Sequence, residues 1–68
     1  MNKALLEYEM KKRGVSISDM CAVLSISRSA FYRKCNGISE FTQSEIQTII
    51  DHLQLESPMA VFFGKEVS

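Results

Sequence analysis

A short segment in the middle of the chain, RSAFYRKCN at positions 28–36, carries a dense set of groups that bind anions. If the segment is a helix, Phe31 and Cys35 fall on one side and polar side chains occupy the other. Two guanidinium groups, a phenol and small polar groups on one helix face are poorly explained by packing alone. We interpret this face as a surface for an anionic partner, the alternative being an ordinary solvated helix face. Its polar members are Arg28, Ser29, Tyr32, Arg33 and Asn36.

A second amphipathic helix is predicted just before this segment, at 17–24, because its apolar residues recur at helical spacing. Only the turn at 25–27 separates the two helices. Ser16 and Ser27 are each placed to cap a helix, since a serine hydroxyl accepts a hydrogen bond from a nearby backbone N–H. A helix N-terminus also offers N–H groups to phosphate, so capping and phosphate contact are compatible.

Three more helices are predicted around this pair. Good helix formers fill 2–13, and the three cations that close this stretch, followed by Gly14, indicate a helix end. Thr42 and Glu45 have the spacing of a capping box, and Pro58 is suited to begin a last helical turn. We predict an all-α fold of five helices in one domain, with no strand or repeat. The expected helices are 2–13, 17–24, 28–35, 43–53 and 58–63.

The charge of the chain is balanced in total but not in its distribution. Eight Lys and Arg residues offset eight Asp and Glu residues, so the formal net charge is zero. Residues 1–39 hold seven cations and three anions, whereas residues 40–68 hold one cation and five anions, so the two parts carry +4 and −4. Zero net charge argues against a nucleic-acid binder, but the basic part contains the polar helix face. We therefore give the distribution more weight than the total.

Several classes of protein are disfavoured by the composition. Cys21 and Cys35 fall on apolar faces without CxxC spacing, so we interpret them as core residues rather than a metal or redox site. One histidine, no recognisable carboxylate pair and no glycine-rich loop argue against an enzyme, and no cofactor or metal is expected. The longest apolar run, 59–63, is too short to span a bilayer, and the N-terminus is unlike a signal peptide. We expect a cytoplasmic protein without membrane contact.

In their order and spacing these motifs resemble the XRE family, the lambda repressor/Cro-like DNA-binding domains. The resemblance covers about the full length of the chain and implies a five-helix fold with a helix-turn-helix at helices two and three. The run FYRK at 31–34, followed by Asn36-Gly37 and by EFT at 40–42, resembles small regulators of Gram-positive bacteria and their phages. The other matching residues are Cys21, the turn at 25–27, the stretch RSAF at 28–31 and Leu53-Gln54-Leu55.

The chain also departs from the family pattern at three places. The family often has glycine where this chain has Ser25, so we expect serine to make the turn under some strain. The family often pairs a buried Glu near the end of helix three with an Arg in helix one, and here Cys35 and Met10 are expected at those positions. Lys34 replaces a common apolar residue, and we expect it at the edge of the core with its amine in solvent.

The resemblance implies a sequence-specific transcriptional regulator of double-stranded DNA, a Cro-like repressor of a prophage or mobile element whose third helix enters the major groove. Base contacts are assigned to Arg28, Ser29, Tyr32 and Arg33, because arginine suits bidentate contact with guanine. Phosphate contacts are assigned to Ser16, Ser18, Ser27, Lys34 and Asn36.

One module contacts few base pairs, so specific binding would call for a homodimer on a roughly palindromic operator. The apolar residues from Met59 to Phe63 have two interpretations: they form the dimer surface, or the phenylalanines close the core. The alternative function is a protein-interaction module, an antirepressor or adaptor with the same fold. Zero net charge and the acidic second part of the chain keep this alternative open.

Overall fold

The computed structural model describes residues 1–62, and these residues form five helices and no strands. The predicted all-α, five-helix fold is therefore confirmed. The second, third and fourth helices have the expected bounds, the first is one residue shorter at each end, and the expected last residue of the fifth, Phe63, lies outside the described residues. The helices are α1 (Lys3–Lys12), α2 (Ile17–Leu24), α3 (Arg28–Cys35), α4 (Gln43–Leu53) and α5 (Pro58–Phe62).

Each of the first four helices begins at a side-chain cap. The side-chain oxygen of the cap accepts a hydrogen bond from the backbone N–H three residues further on, at 3.0–3.1 Å. In α2 and α4 the capping box is complete, because Asp19 and Glu45 accept a bond from the backbone N–H of the cap residue. A cap contributes about 1 kcal/mol, so local sequence alone defines where these helices start. The caps are Asn2, Ser16, Ser27 and Thr42.

The same four helices end at a residue with left-handed backbone conformation. Gly14 and Gly37 have φ values of +69° and +80°, and Ser25 and Gln54 have +57° and +52°. In each case the next N–H bonds back to a carbonyl five residues earlier, as between Ile26 and Cys21 at 3.1 Å. Serine thus makes the turn of the helix pair, as expected, in a conformation that costs about 1 kcal/mol for a residue with a Cβ.

All five helices contribute to one core. The least exposed members, Leu6, Met20, Ile49, Leu53 and Val61, come from α1, α2, α4 and α5. Phe31 and Cys35 are the buried residues of α3.

Both cysteines are free and belong to this core. Cys21 and Cys35 are each 7% exposed, which agrees with their interpretation as core residues. Burial raises the pKa of the Cys35 thiol to about 11, so this thiol is protonated at neutral pH.

Three aromatic rings connect α3 to α5 through the start of α4. Phe41 meets Phe31 edge to face at 6.2 Å between ring centroids and meets Phe62 at 6.1 Å. Phe62 is 8% exposed and closes the core, whereas Met59 in the same helix is 46% exposed. The backbone N–H of Asn2 donates to the carbonyl of Val61 at 2.7 Å, which ties the start of α1 to α5. Helices α1, α4 and α5 thereby form the support on which α2 and α3 rest.

Candidate nucleic-acid interface

One side of α3 is buried and the other is exposed. Phe31, at 3% exposure, packs toward the core, and Tyr32 beside it is 41% exposed. The exposed side lies opposite Phe31 and Cys35, as the helical spacing requires. Ser29, Tyr32 and Arg33 are exposed on the side away from Phe31 and Cys35, and Arg28 is exposed at the helix N-terminus. We call these four predicted base-contacting residues the outer face of α3.

Arg28, the first residue of α3, reaches back to α2. Its Nη2 atom donates a hydrogen bond to the hydroxyl of Ser18, which lies in the first turn of α2. A residue predicted to contact bases is thus joined to one predicted to contact phosphate. The bond also bridges the two helices across the turn, so the guanidinium is held near both helix N-termini. Because a guanidinium has five N–H donors, the other donors remain for a ligand.

The N-termini of α2 and α3 differ in their charge. Asp19 lies in the first turn of α2, and a hydrogen bond from the Ser16 backbone N–H lowers the pKa of its carboxyl below the ordinary value of 3.8. An ionised carboxylate therefore already occupies the positive end of this helix. The first turn of α3, capped by Ser27, contains no acidic residue and holds Arg28 instead. The start of α3 is consequently the more favourable of the two for an anion.

Lys34 does not extend its amine into solvent, so that expectation was wrong. Its Nζ atom lies 2.6 Å from Oε1 of Glu45 and 5.8 Å from the centroid of the Phe41 ring, and its side chain is 15% exposed. The capping carboxylate of α4 faces this end of α3, and the long lysine side chain reaches it. Burial alone would raise the pKa of Glu45, but hydrogen bonds from Lys34 and from the Thr42 N–H lower it.

Asn36, the C-terminal cap of α3, accepts a hydrogen bond from a lysine of another helix. The Nζ atom of Lys3 donates to Oδ1 of Asn36 at 3.3 Å, and both side chains are exposed. Lys3 was not among the residues predicted for the site. The available signal was a cation in the first turn of a helix, where the helix dipole disfavours it. That signal does not reveal that the start of α1 lies beside the end of α3.

Met10 and Cys35 are the two residues that were expected where the family often has an ion pair. Both are buried, at 4% and 7% exposure, and both line a narrow crevice between α1 and α3 together with Lys3 and Tyr32. An apolar pair at this position avoids the cost of removing two charges from water. The side of α3 that faces α1 therefore packs against neutral core residues.

Together the fold and the interface define a helix-turn-helix DNA-binding module: two capped helices, a tight turn, and a second helix with an exposed polar face. Residues 6–57 match the family model of the Cro/C1-type HTH DNA-binding domain, which covers all of α2, α3 and α4. The chain belongs to this family, which confirms the resemblance to Cro-like domains. No curated protein and no solved structure matches the chain.

Membership in this family places the protein among DNA-binding regulators, whose fold is not an enzyme fold. Within residues 1–62, no helix has both the length and the apolar character that crossing a membrane requires. In the same part of the chain, no three His, Cys, Asp or Glu side chains are grouped as metal ligands would be.

Proposed function

We propose that this protein is a sequence-specific transcriptional regulator that inserts α3 into the major groove of double-stranded DNA. The outer face of α3 is the observation that carries the proposal, because four polar side chains stand clear of the core on a helix that the groove can admit. The role that we assign is a Cro-like repressor of a prophage or mobile element, acting in the cytoplasm. Its resemblance to small regulators of Gram-positive bacteria and their phages supports this role.

Within the outer face, the arginines read bases. Arg33 is exposed in the second turn of α3, and Arg28 is exposed at its start. A bidentate contact between an arginine and guanine contributes about 1–3 kcal/mol of discrimination. Ser29 and Tyr32 lie on the same side and supply a hydroxyl and a phenol to neighbouring base edges or sugars.

Phosphate contacts surround this face. Ser16 and Ser27 use their oxygens as helix caps, and each hydroxyl still has a proton to donate. Ser18 and Asn36 lie at the start of α2 and the end of α3, where the DNA backbone flanks a groove-bound helix. We leave Lys34 out of this set because its ammonium is engaged by Glu45 at 2.6 Å.

Specific binding further requires a second copy of the chain. One recognition helix contacts few base pairs, so we infer a homodimer on a pseudo-palindromic operator with half-sites about one helical turn apart. In the described part of α5, Met59 is exposed at 46% and Phe62 is buried at 8%. Met59 is thus the apolar residue of this segment that is available to a dimer contact.

The test is DNA binding by the purified protein. Duplexes selected from a random library are labelled, and binding is followed by fluorescence anisotropy between about 50 and 200 mM salt. We expect an affinity that falls steeply with salt and a preferred sequence that Arg33→Ala weakens. Lys11→Ala, which removes a cation from the far end of α1, is the matched control. Failure of both random and genomic duplexes to bind at about 50 mM salt would contradict the proposal. That result would favour the protein-interaction module, for which zero net charge is the supporting observation.

A further inference from the structure

Besides Arg33, which the proposed function assigns to base contact, a cation from α1 lies at the end of α3. The Nζ atom of Lys3 lies 3.3 Å from Oδ1 of Asn36, although the two residues are 33 positions apart in the chain. Lys3 also lines the crevice between α1 and α3 beside Tyr32, a member of the outer face. The start of α1 therefore brings a positive charge to the edge of the proposed DNA-binding surface.

The helix dipole does not explain a lysine at this position, although Glu7, four residues further on, lines the same crevice and is placed for a helical i, i+4 interaction. Lys3 is the first residue of α1, where the positive end of the helix dipole disfavours a cation, and no acidic residue lies in the same turn. Lys11 and Lys12, by contrast, lie in the last turn, where the dipole favours them. The ion pairs between residues 1 and 62 are Arg13 with Glu9 and Lys34 with Glu45.

Of the two cations in the last turn of α3, Arg33 is assigned to base contact by the proposed function, and Lys34 is already engaged. Lys34 bonds Glu45 at 2.6 Å, with both side chains about 15% exposed, and its Nζ atom also donates to the Glu40 carbonyl at 3.5 Å. Moving Lys34 onto a phosphate would leave a partly buried carboxylate without its counter-charge, which is unfavourable. Lys3 has no such partner to give up, because its bond to Asn36 is to a neutral amide.

We propose that Lys3 and Asn36 form a phosphate-binding pair for the DNA backbone at the end of α3. The inference rests on the proposed function and adds to it a residue from outside the helix-turn-helix. Lys3 supplies the positive charge. The Asn36 oxygen accepts a hydrogen bond from Lys3, and its NH2 group is left to donate to a phosphate oxygen. The Asn36 amide at the end of α3 and the Lys3 ammonium at the start of α1 then contact the same phosphate.

The salt dependence of DNA binding tests this pair. The logarithm of the binding constant falls with the logarithm of salt concentration by about 0.9 for each neutralised phosphate. Lys3→Gln is expected to reduce that slope by about 0.9 and to weaken binding about five- to tenfold near 0.1 M salt, equally on selected and random duplexes. Asn36→Ala removes a neutral donor, so it is expected to weaken binding while the slope stays the same.

Lys12→Gln is the matched control, because it makes the same charge change in the same helix. Lys12 lies at the other end of α1, with its Nζ atom 6.0 Å from the centroid of the Tyr8 ring. An equal slope for the wild-type, Lys3→Gln and Lys12→Gln proteins would overturn the inference. A reduced slope for Lys34→Gln with an unchanged slope for Lys3→Gln would overturn it too, by assigning the phosphate to α3 itself.

The two proposals fail in different ways. If the wild-type protein binds no duplex, the proposed function is overturned and this inference falls with it. If the wild-type protein binds DNA but Lys3→Gln has the same salt slope as the wild type, the proposed function stands and the phosphate pair does not. Lys3 is exposed at the positive end of the helix dipole, so its substitution is expected not to lower the thermal midpoint of unfolding, and that measurement confirms that the variant is folded.

Discussion

One carboxylate oxygen, Oε1 of Glu45, accepts a hydrogen bond from Lys34 at 2.6 Å and another from the backbone N–H of Thr42 at 2.8 Å. The same atom therefore closes the cap of α4 and holds the end of α3. Between α3 and α1, by contrast, the buried residues Cys35 and Met10 are uncharged. The ion pair that anchors the proposed recognition helix therefore joins it to α4.

The first prediction concerns the stability that Glu45 contributes. Glu45→Ala removes the reciprocal bond of the capping box and leaves Lys34 partly buried without a partner, so we expect the free energy of unfolding to fall by about 2 kcal/mol. Urea denaturation at neutral pH, followed by far-UV circular dichroism, measures this change. Glu40→Ala is the control, because that side chain is exposed and a change within about 0.5 kcal/mol is expected. Equal stabilities for the two variants would contradict the anchoring role of Glu45.

The second prediction concerns how the contribution of Glu45 to stability depends on pH. The pKa of Glu45 in the folded protein lies below its ordinary value of 4.5, so folding favours the ionised form. The stabilisation is complete above about pH 4.5 and is lost as the pH falls through the lower folded-state pKa. The stability difference between wild type and Glu45→Gln should therefore shrink as the pH is lowered from 5 toward 3. A constant difference over that range would show that the charge of Glu45 does not contribute.

A third prediction addresses the turn of the helix pair. Ser25 has φ +57°, a conformation that glycine adopts without the clash of a Cβ. Ser25→Gly is expected to raise the free energy of unfolding by about 0.5–1 kcal/mol, the gain being reduced by the greater freedom of glycine in the unfolded chain. Ser39→Gly is the control, because Ser39 is exposed in the next loop and does not have positive φ. Destabilisation by both substitutions would show that Ser25 is unstrained.

The fourth prediction separates the roles of Ser18 and Arg28. If Ser18 positions the guanidinium for base contact, Ser18→Ala should weaken binding to a selected duplex several-fold, equivalent to about 1 kcal/mol, and change binding to random duplexes much less. In an Arg28→Ala background the same substitution should have little further effect, because the positioned group is gone. Additive losses in the double variant, measured by anisotropy, would mean that Ser18 acts on DNA independently of Arg28.

Much of the fold could be predicted from the sequence because the relevant signals are local. A serine or threonine cap acts on an N–H three residues away, and the positive φ of Gly14 follows from its place just past the end of α1. Helical spacing likewise placed Phe31 and Cys35 on the buried side of α3 and Arg33 on the exposed side. These features depend on contacts within one or two turns of helix, so neighbouring residues suffice to specify them.

The partners of long side chains could not be predicted in this way. Lys34 was expected in solvent, since nothing near it in the sequence shows that Glu45, eleven positions later, faces it across the junction of α3 and α4. The bond between Lys3 and Asn36 depends on how α1 crosses the end of α3. A lysine side chain reaches several ångströms from its helix, so a modest change in packing angle selects a different partner.

By itself, the sequence determined the helices, the caps of α2, α3 and α4, and the inward and outward sides of α3, and hence a polar helix face in a Cro/C1-type domain. Only the tertiary structure decided which cations near that face are paired with other side chains and which remain available to DNA. It assigns Lys34 to Glu45, places Lys3 beside Asn36, and joins Arg28 to Ser18. The physical reason is that helix formation is governed by short-range hydrogen bonds and periodicity, whereas charge pairing is governed by distances between helices that only packing sets.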